Sequence, residues 1–225
     1  MPQQLSSGEN SAERREGLRS RAFGQNYRPT PVDRFGVWLS ARQIRKYAGS
    51  LRGKTLGDFG CGYDATFVRT VLPEVQRVVL IDSALAKDLK DEPKVRAIEG
   101  VLPEALKQVP SESLDIVLCI SVLEHLWDPQ TALQECFRIV RPGGICIFNV
   151  PSWRGKGFLE FSAFRLGLSP MDEITDHKTY YDVKDLWLLL TQAGFLPSNI
   201  RCFSHKFGLN TFAACTKCTV PDATS

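Results

Sequence analysis

Gly57-Asp58-Phe59-Gly60-Cys61-Gly62-Tyr63-Asp64-Ala65 decides the fold. The stretch joins the end of a short apolar strand, Thr55–Phe59, to a helical pattern over residues 64–72. In that pattern Phe67, Val68, Val71 and Leu72 recur at helical spacing. Glycines at 60 and 62 permit a tight turn. They also let a ligand approach the backbone at a helix N-terminus. The same Gly-x-Gly occurs in strand-to-helix turns that bind nothing, so the loop alone leaves both readings open.

Outward from the loop, strands alternate with helices. Residues 77–81 form a continuous apolar strand. Residues 95–98 form a weaker one, and residues 114–120 a strong one. Asp128 and Pro129 supply an N-cap and a first-turn proline for a helix carrying Ala132, Leu133, Cys136, Phe137 and Val140. Pro142-Gly143-Gly144 predicts a break before a fifth strand over 145–150. Such alternation implies right-handed crossovers and a mostly parallel sheet covered on both faces. The end differs. A capped helix over 182–194 precedes strands 200–207 and 211–217, joined by Gly208-Leu209-Asn210, which predicts an antiparallel hairpin at the sheet's C-terminal edge. The expected fold is an α/β, Rossmann-like, doubly wound sheet of seven strands, mostly parallel with an antiparallel C-terminal hairpin strand.

Composition sets the outer bounds. Of 225 residues, 43% are hydrophobic and 24% charged, ordinary for a globular protein. The formal charge of +3, from 28 basic and 25 acidic residues, gives no footprint for nucleic acid. No apolar run reaches the roughly 18–20 residues of a membrane span. The first thirty residues lack an apolar signal core. The seven cysteines are odd in number and irregularly spaced, which fits a reducing, cytoplasmic setting. Cys215 and Cys218 lack the further ligands a zinc site needs. One domain over 25–218 is expected, with a mobile tail at 1–24 and a short tail at 219–225. A leading helix over about 32–48 carries Phe35, Val37, Trp38 and Ile44 and is expected to cover the domain.

Two acids narrow the ligand. Asp82 ends the second strand, 22 residues after Gly60, where a carboxylate can accept from both hydroxyls of a ribose. Its alternative role is an N-cap for the segment that follows. Together with Gly60-x-Gly62-x-x-Ala65 this also matches the loose nicotinamide fingerprint. Asp58 argues against a dinucleotide, because a buried carboxylate needs a cationic or hydrogen-bonding partner and would repel a pyrophosphate. A ligand with an ammonium and a sulfonium suits it, and S-adenosylmethionine has both.

Asp58-Phe59-Gly60-Cys61-Gly62, Asp82, the run Leu114-Asp115-Ile116-Val117-Leu118-Cys119-Ile120 entering Ser121-Val122-Leu123-Glu124-His125-Leu126, and Pro142-Gly143-Gly144 together resemble the class I S-adenosylmethionine-dependent methyltransferases. The likeness is to the small-molecule O-methyltransferase branch that includes ubiquinone-biosynthesis enzymes, and it covers about residues 50–215. It implies a seven-stranded sheet and S-adenosyl-L-methionine as methyl donor, with S-adenosyl-L-homocysteine as product. By position it implies that Asp58, Gly60, Cys61 and Gly62 hold the methionine end and Asp82 the ribose. Glu99, Gly100 and Val101 would flank the adenine. Cys119, Ile120 and Ser121 would line the cofactor and face the methyl group, although Cys119 and Ile120 are equally suited to the core.

Methyl transfer to a hydroxyl profits from a general base near neutrality, and histidine is the natural one. His125, just after the fourth strand, and His177, before the capped helix, are the candidate catalytic residues. His205 reads as structural. Related enzymes with Glu-x-x-Glu-His bind a divalent metal there, but Ser121 replaces the first acid, so no metal is expected. Residues 151–178 form a long irregular connection, with Phe158, Phe161, Phe164 and Leu168 interleaved with Arg154, Lys156 and Arg165, which reads either as a short helix packing on the domain or as a lid over the acceptor. Such a lid fits an acceptor with an apolar part, or an anionic carrier such as a phospholipid or nucleotide-sugar. Tyr27 and Trp38 are expected to cover the cofactor from the other side. The resulting expectation is a methyltransferase acting on a small molecule or a glycan or lipid precursor, at oxygen, with no nucleic-acid partner. The alternatives are a nicotinamide-dependent oxidoreductase and an inactive methyltransferase-like binding domain.

Overall fold

The computed structural model describes residues 31–156 and 178–219. Helix α1 (Pro31–Ala48) leads into β1 (Thr55–Phe59), α2 (Thr66–Val71), β2 (Arg77–Asp82), the short α3 (Lys87–Lys90) and β3 (Val95–Glu99). Then come β4 (Leu114–Ile120), α4 (Pro129–Ile139), β5 (Val140–Pro151), α5 (Val183–Gln192), β6 (Ile200–His205) and β7 (Asn210–Thr216). The sheet has seven strands in the order β3-β2-β1-β4-β5-β7-β6. It is parallel except for β7, which runs antiparallel to both neighbours. Chain order reverses between β1 and β4. Open α/β sheets bind ligands in the crevice outside the carboxyl ends of strands at such a switch point.

The core lies on both faces. One face carries Phe59, Ile81, Val117, Cys119 and Phe148 against α4 and α5. The other carries Leu56, Val78, Leu80, Leu118, Ile147 and Phe212 against α1, α2 and α3. Strand β4 has both faces covered, so it is apolar without alternation and its boundaries match the sequence reading.

Two expectations need correction. Pro142-Gly143-Gly144 does not break the chain before the fifth strand. It is an irregularity inside β5, where the register with β4 shifts between Leu114 and Ile116. Gly143, at φ +76°, donates its N–H to Lys217 O, and Lys217 donates back to Gly144 O, which keeps the segment in the sheet. The β6–β7 hairpin stands at the edge of the sheet as expected, with β7 inserted between β5 and β6 and β6 outermost. In α1, Phe35, Val37 and Trp38 are exposed, and the anchor is Ile44 with Tyr47 against Phe203 and Phe212.

The seven cysteines are all free, with Cys119, Cys136, Cys146 and Cys215 in the core. No helix among the described residues is long and apolar enough to cross a membrane. The segment 1–24, Tyr27, His177 and most of the expected lid (157–177) lie outside the described residues, as do residues 220–225.

Candidate active site

The loop after β1 takes the conformation that its glycines allow. Gly60 and Gly62 have φ of +74° and +75°, in the left-handed region that side chains disfavour. A Cβ on Gly60 would also collide with the Val122 side chain from the turn after β4. Gly60 N–H donates to Ile81 O at 2.7 Å, so the loop is drawn across the end of β2.

Asp82 completes that anchorage. Its Oδ2 accepts from Gly62 N–H at 2.8 Å, and its Oδ1 accepts from Ser83 N–H at 2.7 Å. Helix α3 starts only at Lys87, so Asp82 is not its N-cap. The carboxylate stays half-buried at the loop mouth, with lone pairs left for a further donor.

Asp58 is the outlier. It is 6% exposed, and no hydrogen-bond donor among the described residues reaches its carboxylate. Burial, reinforced by the charge of Asp82, pushes its pKa up to about 7. A buried carboxylate with no counter-charge is costly and is relieved by a cationic ligand. Cys61 lies in the same field. Burial, with Asp58 and Asp82, holds its thiol well above the usual range, so it remains a thiol at neutral pH and is no nucleophile.

The other predicted residues fall around this centre. Glu99 ends β3 beside Asp82, but its carboxylate accepts from Leu85 N–H at 2.9 Å and from Lys90 Nζ at 3.1 Å. Its side chain therefore fastens the approach to α3, and the Gly100 N–H donates to Asp82 O. Val101 is exposed and available as an apolar wall. Cys119 is buried and faces the α4 side, whereas Ile120 faces the α1 side and is only partly buried. Ser121, at φ +57°, turns the chain out of β4 while its N–H donates to Asn149 O at 2.7 Å. His125 closes the 3-10 turn Leu123–His125 and is half-buried. Lys178, which follows His177, donates its N–H to Glu124 O at 2.6 Å, so this connection returns to the turn after β4. Among the described residues no group of three or more His, Cys, Asp or Glu is placed to hold a metal ion.

Two further polar residues belong to the same end of the sheet, Asn149, which the sequence did not single out, and His205. Asn149 pairs with Ile120 and is fully buried, and neither amide atom has a hydrogen-bond partner. His205, read as structural, ends β6 at 7% exposure with Nε2 unpartnered, and burial lowers its pKa to about 4. An asparagine inside an otherwise apolar strand was the available signal for the first.

The comparisons agree with this frame. The model of the family described as "Methyltransferase domain" matches residues 57–148. A ubiquinone biosynthesis O-methyltransferase from Bordetella pertussis is 32% identical over 169 residues, spanning 70% of this chain and 68% of that protein. The chain belongs to the class I S-adenosylmethionine-dependent methyltransferases. A Mycolicibacterium smegmatis protein named "Probable S-adenosylmethionine-dependent methyltransferase" is 28% identical over 76% of this chain, which spans 64% of that protein's length. Among solved structures, a methyltransferase of Archaeoglobus fulgidus superposes with TM-score 0.58 at 15% identity, covering 80% of this chain and 94% of that one. At that identity the likeness is one of fold. S-adenosylmethionine is the methyl donor of this methyltransferase family. The unpartnered Asp58 and the glycine loop suit its ammonium and carboxylate.

Proposed function

We propose that this methyltransferase transfers the methyl group of S-adenosylmethionine to an oxygen of a small-molecule, glycan-precursor or lipid-precursor acceptor in the cytoplasm. The observation that carries the proposal is Asp58, a buried carboxylate at the switch point of the sheet with no donor among the described residues. Oxygen as the target is supported by the likeness to ubiquinone biosynthesis O-methyltransferases.

When bound, the cofactor supplies an already activated methyl group on a sulfonium. The chain then has to bind, align and exclude water. Asp58 holds the cationic methionine end. The Cys61 N–H, which neither Ile81 nor Asp82 engages, meets the carboxylate. Asp82 receives ribose hydroxyls while it keeps Gly62 in place, and residues 99–101 flank the adenine. Cys119, Ile120 and Ser121 border the methyl group. His125 takes the acceptor's proton, with His177 as the other candidate base.

The test is production of S-adenosylhomocysteine from labelled donor across a panel of phenolic and hydroxylated acceptors, with wild type and His125→Asn. Turnover with an oxygen acceptor, reduced at least tenfold in the variant, supports the assignment. Turnover with amine acceptors alone would replace oxygen by nitrogen. Thermal protection by NAD but not by S-adenosylhomocysteine would favour the oxidoreductase alternative.

A further inference from the structure

We propose that the cavity between α1 and the β6–β7 turn is an anion-binding pocket that holds a carboxylate or phosphate on the acceptor, at a distance from the atom that is methylated. The proposal deepens the methyltransferase reading above and rests on it.

The cavity has a volume of about 480 Å³, within the range of small-molecule sites. Its polar lining is Arg42, Gln43 and Lys46 from α1, with His205 and Lys206 from the turn. Leu39 and Phe207 supply apolar walls. Three cations line it and no acid does. Arg42 lies over the Trp38 ring at 6.0 Å and Lys46 over Tyr47 at 5.4 Å, and neither forms an ion pair among the described residues. Lys206 forms no ion pair among the described residues. Burial lowers its pKa to about 8, opposed by the charge of Glu124 behind it.

One buried polar atom in the lining that can donate to an anion, His205 Nε2, lacks a partner among the described residues. His205 is more than nine-tenths buried, and its Nε2 can donate to an anion when the proton sits there. The turn itself is strained. Lys206 and Phe207 have φ of +49° and +59°, consecutive left-handed positions without a glycine. Such strain persists where the surroundings impose it, and it clusters at ligand sites. Phe207 is 84% exposed, so an apolar surface stands at the cavity rim.

Position links the pocket to the reaction. β6 runs parallel to β4, so His205 and the turn after β4 stand at the same end of the sheet, the carboxyl end of both strands. Three strand spacings separate β4 from β6. At about 4.8 Å each, that is roughly 14 Å. The acceptor is therefore an elongated organic anion, with its charged group in the pocket, its apolar body along Leu39 and Phe207, and its nucleophile near the end of β4.

The experiment is calorimetric titration of phenyl phosphate, benzoate and benzyl alcohol into protein saturated with S-adenosylhomocysteine. It uses wild type, Lys206→Gln, Arg42→Gln and, as a remote control, Lys184→Gln. At least one anion should bind saturably, about tenfold or more weaker in Lys206→Gln and Arg42→Gln and unchanged in Lys184→Gln. Benzyl alcohol should bind more weakly than the anion. The His205 ring resonances of wild type should shift with the same saturation, a readout that needs no variant to fold. Equal affinity in Lys206→Gln and wild type, or no saturation and no His205 shift with either anion, would overturn the pocket. Absence of S-adenosylhomocysteine binding would instead overturn the cofactor reading, and the anion titration of the unliganded protein would still decide the pocket.

Discussion

The carboxylate of Asp82 raises the pKa of Asp58. Burial alone disfavours ionisation of Asp58, and the second acid at the mouth of the same loop adds to it, bringing the pKa to about 7. Asp82 meanwhile is held by Gly62 and Ser83 N–H groups. The pair is thus a structural acid that shapes the loop and a buried acid that lacks a counter-ion. A cationic ligand satisfies the second without disturbing the first.

Cofactor affinity should therefore depend on pH. The ammonium favours ionised Asp58, so binding below pH 7 includes the cost of removing its proton. The apparent Kd of S-adenosylhomocysteine should weaken about fivefold between pH 7 and pH 6, and about tenfold further by pH 5. Calorimetry at constant ionic strength reads this directly. A flat profile between pH 5 and 8 would mean that the ligand does not engage Asp58.

The same shift has a consequence for the unliganded fold. An acid whose folded pKa lies above its unfolded value binds protons more tightly when folded. Stability should thus be greatest below about pH 4 as far as this group is concerned, fall between pH 4 and 7, and be lowest above pH 7. The span from 3.8 to about 7 corresponds to an effect on the order of 4 kcal/mol. Asp58→Asn should remove most of it, so the variant gains on wild type at pH 8 and hardly at pH 4, while losing cofactor affinity. Urea unfolding at both pH values checks the sign.

Gly60→Ala should cost about 1–3 kcal/mol. The φ of +74° accounts for one part, and the collision with Val122 for the other. Val122→Ala in the same chain should recover the collision part and leave the backbone part. A double-mutant cycle in denaturant measures the coupling, and strict additivity would show that Val122 does not limit position 60.

Asp115 fastens the start of the sheet. Its Oδ2 accepts from Thr55 N–H and from Thr55 Oγ1, both at 2.8 Å, while Arg141 and Lys54 approach Oδ1 at 2.5 and 3.7 Å. Burial works against ionisation, but the Thr55 hydrogen bonds and the two cations outweigh it and hold the pKa below the ordinary carboxylate value. Its contribution is full above about pH 4 and disappears as pH falls through the lowered pKa. Asp115→Asn should cost about 1–3 kcal/mol at pH 7, with the gap to wild type closing by about pH 2. An equal gap at both pH values would show that charge is not what Asp115 contributes.

Much of this architecture was legible because local pattern and tertiary demand coincide. The 60–62 loop needs left-handed backbone, and glycine announces it. Strand β4 is covered on both faces, and its unbroken apolar run shows that. Pro142-Gly143-Gly144 was misread because the hydrogen bonds that hold it in the sheet come from Lys217, more than seventy residues away. The surroundings of His205 were not legible for the same reason. Its neighbours Arg42, Gln43 and Lys46 lie on α1, and no local pattern joins them to β6. Phe35, Val37 and Trp38 carry the spacing of a packed helix face but are exposed, so hydrophobic periodicity alone overstated how α1 covers the domain.

The most direct test is calorimetric titration of S-adenosylhomocysteine into the purified chain at pH 7.5, beside Asp82→Ala and Asp58→Asn. Micromolar binding by wild type, lost or weakened at least tenfold in both variants, is the result predicted. Folded wild-type protein that binds none of it, or binding that neither substitution affects, would contradict the placement of the cofactor at Asp58, Asp82 and the glycine loop.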